Sequence, residues 1–149
     1  MAARLTSLLA GVEIRRFPAG TATAADAATA IGCSIGQIVK SLVFVADGRV
    51  VVALVSGANR VDPSRLAAAA RAERVEKADA GVTRQATGFA IGAVPPFGHT
   101  TALPTYVDSD LLAFDTVWAA AGRSDSVFPI PPERLLELSG GQVADLKAS

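Results

Sequence analysis

The pattern of hydrophobic and polar positions between Gln37 and Val55 predicts a β-hairpin. In the run Gln-Ile-Val-Lys-Ser-Leu-Val-Phe that starts at Gln37, β-branched and aromatic residues read as a strand. A period of two puts Ile38, Lys40, Leu42 and Phe44 on one face and Val39, Ser41, Val43 and Val45 on the other. Asp47-Gly48 is a two-residue turn signal, and residues 49–55 return antiparallel. Val and Leu on both faces predict a central hairpin, covered on each side.

The flanking pattern supplies shorter elements. Residues 4–10 read as a helix and 12–17 as a strand closed by Pro18. Thr23 reads as the N-cap of an Ala-rich helix that Gly32 stops, with Asp26 at the favourable positive end. Asp62-Pro63 opens a helix to about residue 71, as an N-cap followed by Pro at the first helical position. A strand over 74–76, a helix over 79–86 and a strand over 106–108 follow. Residues 116–120 and 127–130 form a second hairpin about Gly122-Arg123, ahead of a helix over 133–138 and a last edge strand over 143–146. Five to seven short strands with three to five helices predict an α+β fold: one domain over residues 1–149, with a mixed, curved, mainly antiparallel sheet surrounded by helices.

Composition narrows the classes. A chain of 149 residues that is 50% hydrophobic and 19% charged suits one folded domain, not a disordered segment. No apolar run approaches the ~18 residues of a membrane helix, and residues 1–11 lack the apolar stretch and cleavage site of a signal peptide, so no membrane contact and a cytoplasmic location are expected. One cysteine, Cys33, and one histidine, His99, rule out an internal disulfide and the usual thiolate or His-rich metal centres; neither metal nor cofactor is expected. Cys33 itself reads as a small buried or half-buried residue rather than a reactive thiol. Fourteen basic residues balance 14 acidic ones, which argues against DNA or any long nucleic acid and leaves open a small contact such as the end of an RNA. There is no phosphate loop, no dinucleotide-binding glycine pattern and no nucleophile elbow.

The candidate chemistry lies in two stretches. Lys40 shares a strand face with large apolar side chains, where an ammonium is costly to desolvate. It either reaches water or holds a polar or anionic partner. Two readings stand: a lysine with a chemical role, or one that begins the strand at its wet end. In Gly92-Ala93-Val94-Pro95-Pro96-Phe97-Gly98, two prolines flanked by glycines predict a rigid loop with exposed backbone amides, suited to a flat or carbonyl-bearing ligand or serving only as a stiff turn. His99 has the pKa of a general base, but nothing else marks it, and it is expected as an exposed loop residue. Arg60, Arg65, Arg71 and Arg74 read as a modest basic patch or as a solvated face balanced by Glu73 and Glu76. Asp108, Asp110 and Asp115 have the spacing of turn formers and caps, without the glycine and terminal glutamate of a calcium loop.

Taken in order, these motifs carry a resemblance. Thr23 through Gly32, the run Gln37 to Phe44, Leu54-Val55, Asn59-Arg60-Val61-Asp62, Thr87-Gly88, Gly92-x-x-x-Pro96-Phe97-Gly98, Tyr106-Val107-Asp108 and Gly122-Arg123 resemble the YbaK/ProX family of aminoacyl-tRNA deacylases, related to the editing domain of bacterial prolyl-tRNA synthetases. The resemblance implies hydrolysis of the ester in a mischarged tRNA, most often tRNA for proline. It implies a partner in the acceptor end of aminoacyl-tRNA and, for some members, in a prolyl-tRNA synthetase. It makes Lys40 the functional lysine, the loop from Gly92 to Gly98 the lining of the aminoacyl pocket, and Ser41 and Gly122 parts of its wall.

Departures from the family bear on the substrate. Ala120 and Val127 take places where members acting on cysteinyl-tRNA carry serine and aspartate. Ala93 and Pro95 replace common glycine and serine, which implies a narrower pocket and favours a small amino acid such as alanine. A non-catalytic module of the same fold that binds tRNA or a synthetase, and a hydrolase of another small ester, are the alternative readings.

Overall fold

The computed structural model describes residues 2–17 and 23–148. In chain order the elements are α1 (Ala2–Leu8), β1 (Arg15–Arg16), α2 (Ala24–Ile31), β2 (Ile38–Ala46), β3 (Arg49–Ser56), α3 (Pro63–Ala70), β4 (Val75–Lys77), α4 (Ala80–Thr87), β5 (Thr105–Asp108), β6 (Val117–Ala120), β7 (Ser126–Ile130), α5 (Pro132–Ser139) and β8 (Gln142–Ala144). All eight strands join one mixed sheet in the order β1-β7-β6-β2-β3-β5-β8, with β4 paired to β2 beside this path. The β2–β6, β3–β5 and β5–β8 pairs are parallel, and the remaining pairs are antiparallel. The α+β class with a mixed, mainly antiparallel sheet is therefore as the pattern predicts, though the strands outnumber the expectation.

Local chemistry explains the elements. Asp47 and Gly48 both take positive φ (47° and 80°), the geometry a tight hairpin turn needs, and Asp47 also accepts hydrogen bonds from the Glu73 and Arg74 amides. Those bonds hold the Asp47 carboxyl below its usual range and tie the hairpin to the start of β4. Thr23, Asp62 and Asp79 cap α2, α3 and α4 through their side chains, and Gly32 and Gly88 close α2 and α4 in the left-handed conformation. Arg71 does the same for α3 at φ 55°.

The central hairpin is covered on both faces. Val39, Val43, Val52 and Leu54 pack with Leu5, Phe89, Val94, Phe97 and Phe128 on one side, and the Phe97 and Phe128 rings meet edge to face at 5.8 Å. On the other, Phe44, Val51 and Val55 pack against Leu66 and Ala70 of α3 and against Leu146. Among the described residues, no helix is long and apolar enough to cross a membrane.

Several expectations need correction. The strand placed over residues 12–17 reduces to Arg15–Arg16 paired with β7, and Pro18, its proposed terminator, lies outside the described residues. The final strand ends at Ala144, because Leu146 turns inward to full burial and its carbonyl accepts the Asp62 amide. His99 is buried, not exposed: its Nε2 donates to the Pro95 carbonyl at 2.7 Å. The loop after Gly92 is likewise buried from residue 93 to 98, since Val94 and Phe97 are core side chains.

Two predictions follow from this packing. Gly122 has φ 93°, and a Cβ there would stand 2.8 Å from the Phe89 ring, so Gly122→Ala should destabilise by about 1–3 kcal/mol, lowering Tm roughly 2–4 °C per kcal/mol. Gly32→Ala, at φ 85° with no neighbour within 4 Å, should lower Tm by less in the same thermal melt. The second concerns Asp125, which binds the Arg16 guanidinium (3.1 Å), the Ser126 hydroxyl (3.0 Å) and Arg123 (3.2 Å). Together, with Arg16 first, they push its pKa down to about 2. A lowered carboxylate pKa gives stability that is complete above the unfolded value of 3.8 and is lost as pH falls toward 2. The difference in unfolding midpoint between wild type and Asp125→Asn should therefore be constant above about pH 5 and shrink below pH 4.

Candidate active site

β2 is paired with β3 along its whole length, but on its other side it has neighbours only at its ends. β6 pairs with Ile38 and Val39, and β4 pairs with residues from Phe44 to Ala46. Residues 40–43 have no strand beside them there, among the described residues. The Ile38 carbonyl accepts the Gly57 amide and the Val43 carbonyl accepts the Ala78 amide, which fixes the alternation along the strand. Ser41 therefore turns its backbone N–H and C=O away from β3 and into the opening. Its hydroxyl Oγ is buried without a hydrogen-bond partner. Buried hydroxyls are nearly always satisfied, so this one marks a place where a partner is missing.

A cavity of about 520 Å³ lies along this free edge. Residues from both faces of β2 border it: Lys40 and Leu42 from one, Ser41 and Val43 from the other. Gly92 and Val94 form part of its wall, with Lys77 and Arg123 adding positive charge. Trp118 borders it too, and the Arg15 guanidinium sits 4.9 Å from the centre of its ring.

Lys40 is half-buried, and its Nζ donates to the Asn59 carbonyl at 2.5 Å. Burial lowers its pKa, the Lys77 and Arg60 cations lower it further, and Asp108 opposes them. Lys40 thus has a polar partner, and it also borders the cavity. An ammonium has three donors and Asn59 takes one, which leaves two for a ligand.

The other candidates separate. Gly92 and Val94 border the cavity with Lys40 and Ser41, whereas Ala93, Pro95, Pro96, Phe97 and Gly98 do not. Pro96, Phe97 and Gly98 instead border a separate cavity of about 110 Å³ that includes His99. Gly122 is a packing residue against Phe89 and Leu5, while its neighbours Ala120 and Arg123 reach the cavity. Ala93 and Pro95, expected to narrow the pocket, do not touch it. Arg65 is paired with Asp62 and Asp145, which leaves Arg60, Arg71 and Arg74 as the exposed cations of that group without an ion pair among the described residues. Cys33 is half-buried, and burial pushes its thiol pKa up.

Sequence reading missed Lys77, Trp118 and Ala27 as wall residues. Each lies on a different element, and only the fold brings them to β2. The result is a slot with cations, an unsatisfied hydroxyl, a free strand edge and an apolar wall, able to hold a small acyl group joined to something anionic.

Residues 18–138 match the family model of the aminoacyl-tRNA editing domain. The chain is similar to EbsC of Enterococcus faecalis, named as a candidate Cys-tRNA(Pro)/Cys-tRNA(Cys) deacylase, at 29% identity over 83% of this chain and 76% of EbsC. It is 36% identical to a segment of the proline–tRNA ligase of Elusimicrobium minutum, over 51% of this chain and 13% of the ligase. Among solved structures, a candidate trans-editing enzyme for prolyl-tRNA synthetase shares 44% identity and superposes with a TM-score of 0.92, covering 99% of this chain and 97% of that one. The chain therefore belongs to the aminoacyl-tRNA editing domain family, the one its ordered motifs resemble.

Proposed function

We propose that the protein is a trans-editing deacylase that hydrolyses the ester of a mischarged tRNA, with tRNA for proline carrying a small amino acid such as alanine as its substrate. The observation that carries this reading is the buried, unpartnered Ser41 hydroxyl on the free edge of β2, beside Lys40 in a cavity of the right chemistry.

An aminoacyl ester needs no covalent help from the enzyme. Water adds to the acyl carbon, the bond to the ribose oxygen breaks, and the products are a free amino acid and a tRNA ending in a hydroxyl. The enzyme has to orient the ester and stabilise the charge that develops on the carbonyl oxygen. The free Ser41 amide and carbonyl offer a donor and an acceptor in strand geometry, matched to the carbonyl and α-ammonium of an aminoacyl group. Lys40 supplies positive charge to the oxyanion or the terminal nucleotide, and Gly92 borders the cavity with it. Lys77 and Arg123 suit the phosphates of a short acceptor end, consistent with a neutral chain that grips little else.

The wall favours a small side chain. Val39, Val43, Val94 and Ala119 crowd it, and Ala120 and Val127 are apolar where members acting on cysteinyl-tRNA carry Ser and Asp. Similarity to part of a proline–tRNA ligase supports tRNA for proline as the carrier and the synthetase as a functional partner.

The test is deacylation of tRNA for proline charged separately with alanine, serine, cysteine and proline. Alanyl-tRNA should be cleared fastest and prolyl-tRNA spared, and Lys40→Ala should slow clearance about a hundredfold, the scale for losing an oxyanion contact. If no charged species decays faster with protein than without it, the catalytic reading fails.

A further inference from the structure

The Lys40 ammonium is aimed by a loop, and that loop is anchored by a carboxylate. Asp108, at the end of β5, is fully buried. Its Oδ2 accepts from the Ser56 amide at 3.1 Å and from Asn59 Nδ2 at 2.8 Å, and its Oδ1 accepts from the Asp110 amide at 3.0 Å. No cation is in contact with it among the described residues. Three neutral donors thus satisfy a fully buried carboxyl group, an elaborate arrangement for a residue that merely ends a strand.

Asn59 is the piece that this carboxylate orients. Its Nδ2 donates also to Asp110 Oδ2 at 2.8 Å, and Lys147 Nζ reaches that same oxygen at 3.3 Å. The Asn59 amide donates to the Ser56 carbonyl at 2.9 Å. With side chain and amide both fixed, the Asn59 carbonyl has one direction left, and the Lys40 Nζ donates to it.

We propose that Asn59 and Asp108 are positioning residues for Lys40: the buried carboxylate sets the Asn59 loop, and the loop carbonyl sets the direction of the ammonium and of its two remaining donors. The catalytic consequence rests on the deacylase reading above; the positioning itself does not. Without the carbonyl, repulsion from Lys77 and Arg60 would turn the ammonium elsewhere.

Asn59→Ala is the variant of choice, since it removes both Nδ2 bonds while Asp108 keeps its two amide donors. One arm needs no activity. The chain has three lysines, so the acylation rate of Lys40 relative to Lys77 under an amine-reactive ester can be read by mass spectrometry on the folded protein. Asn59→Ala and Asp108→Asn should each change this ratio by at least about threefold, while circular dichroism shows Asn59→Ala folded. A ratio unchanged in a folded Asn59→Ala protein overturns the proposal, whether or not the protein is a deacylase.

The second arm is a double-mutant cycle on deacylation. Asn59→Ala should lower kcat/KM about tenfold in the wild-type background and have little effect on Lys40→Ala, a coupling typical of one hydrogen-bonded network. Equal losses in both backgrounds would assign Asn59 a purely structural role and also overturn the proposal. Wild type without deacylase activity would sink the functional reading and leave the labelling arm to decide positioning.

Discussion

A backbone amide or carbonyl buried without a partner costs about 1–3 kcal/mol, so a sheet tolerates a break beside a central strand only where something else can satisfy the exposed groups. In this chain the break falls along residues 40–43 of β2, where β6 has ended and β4 has not begun. The opening exists because two short strands dock against the same edge from opposite ends. It turns a half-buried stretch of the central hairpin into a receptive surface. The Lys40 stem, the Ser41 hydroxyl and the loop at Gly92 acquire their meaning from that gap.

The position of Lys40 is a compromise between two demands. Its carbons line a strand face with Phe44 and Val55, and its charge must still be served. The Asn59 carbonyl serves it from the loop that follows β3. A neutral acceptor keeps the ammonium available. A carboxylate in direct contact would have held it more tightly and quenched it.

How much of this was legible in the sequence varies with range. The hairpin of β2 and β3 could be read because Asp47-Gly48 and runs of β-branched residues are local signals, and the caps at Thr23, Asp62 and Asp79 could be read for the same reason. Lys40 stood out as a charge in an apolar pattern. The Ser41 hydroxyl did not, since its lack of a partner depends on where β6 stops, far along the chain. β1 and β8 were legible as strands but not in extent, since pairing with β7 and β5 sets their bounds. His99 and the loop before it seemed exposed because Pro and Gly mark turns; Val94 and Phe97 pull that turn into the core. Asp108 was legible as a turn former but not as a buried anchor, because Ser56 and Asn59 lie about fifty positions away.

The closing residues have a consequence for the order of assembly. The Asp62 amide donates to the Leu146 carbonyl, the Ala148 amide to the Arg60 carbonyl, and Lys147 reaches Asp110, so the end of the described chain straps down the loop that holds Lys40. On the ribosome, β2 and β3 emerge well before residues 146–148 and can pair at once. Their lysine then waits for a strap that follows much later in the chain. A nascent chain can thus own a nearly complete sheet while its site is still slack, and becomes competent only when residues 146–148 have emerged and docked.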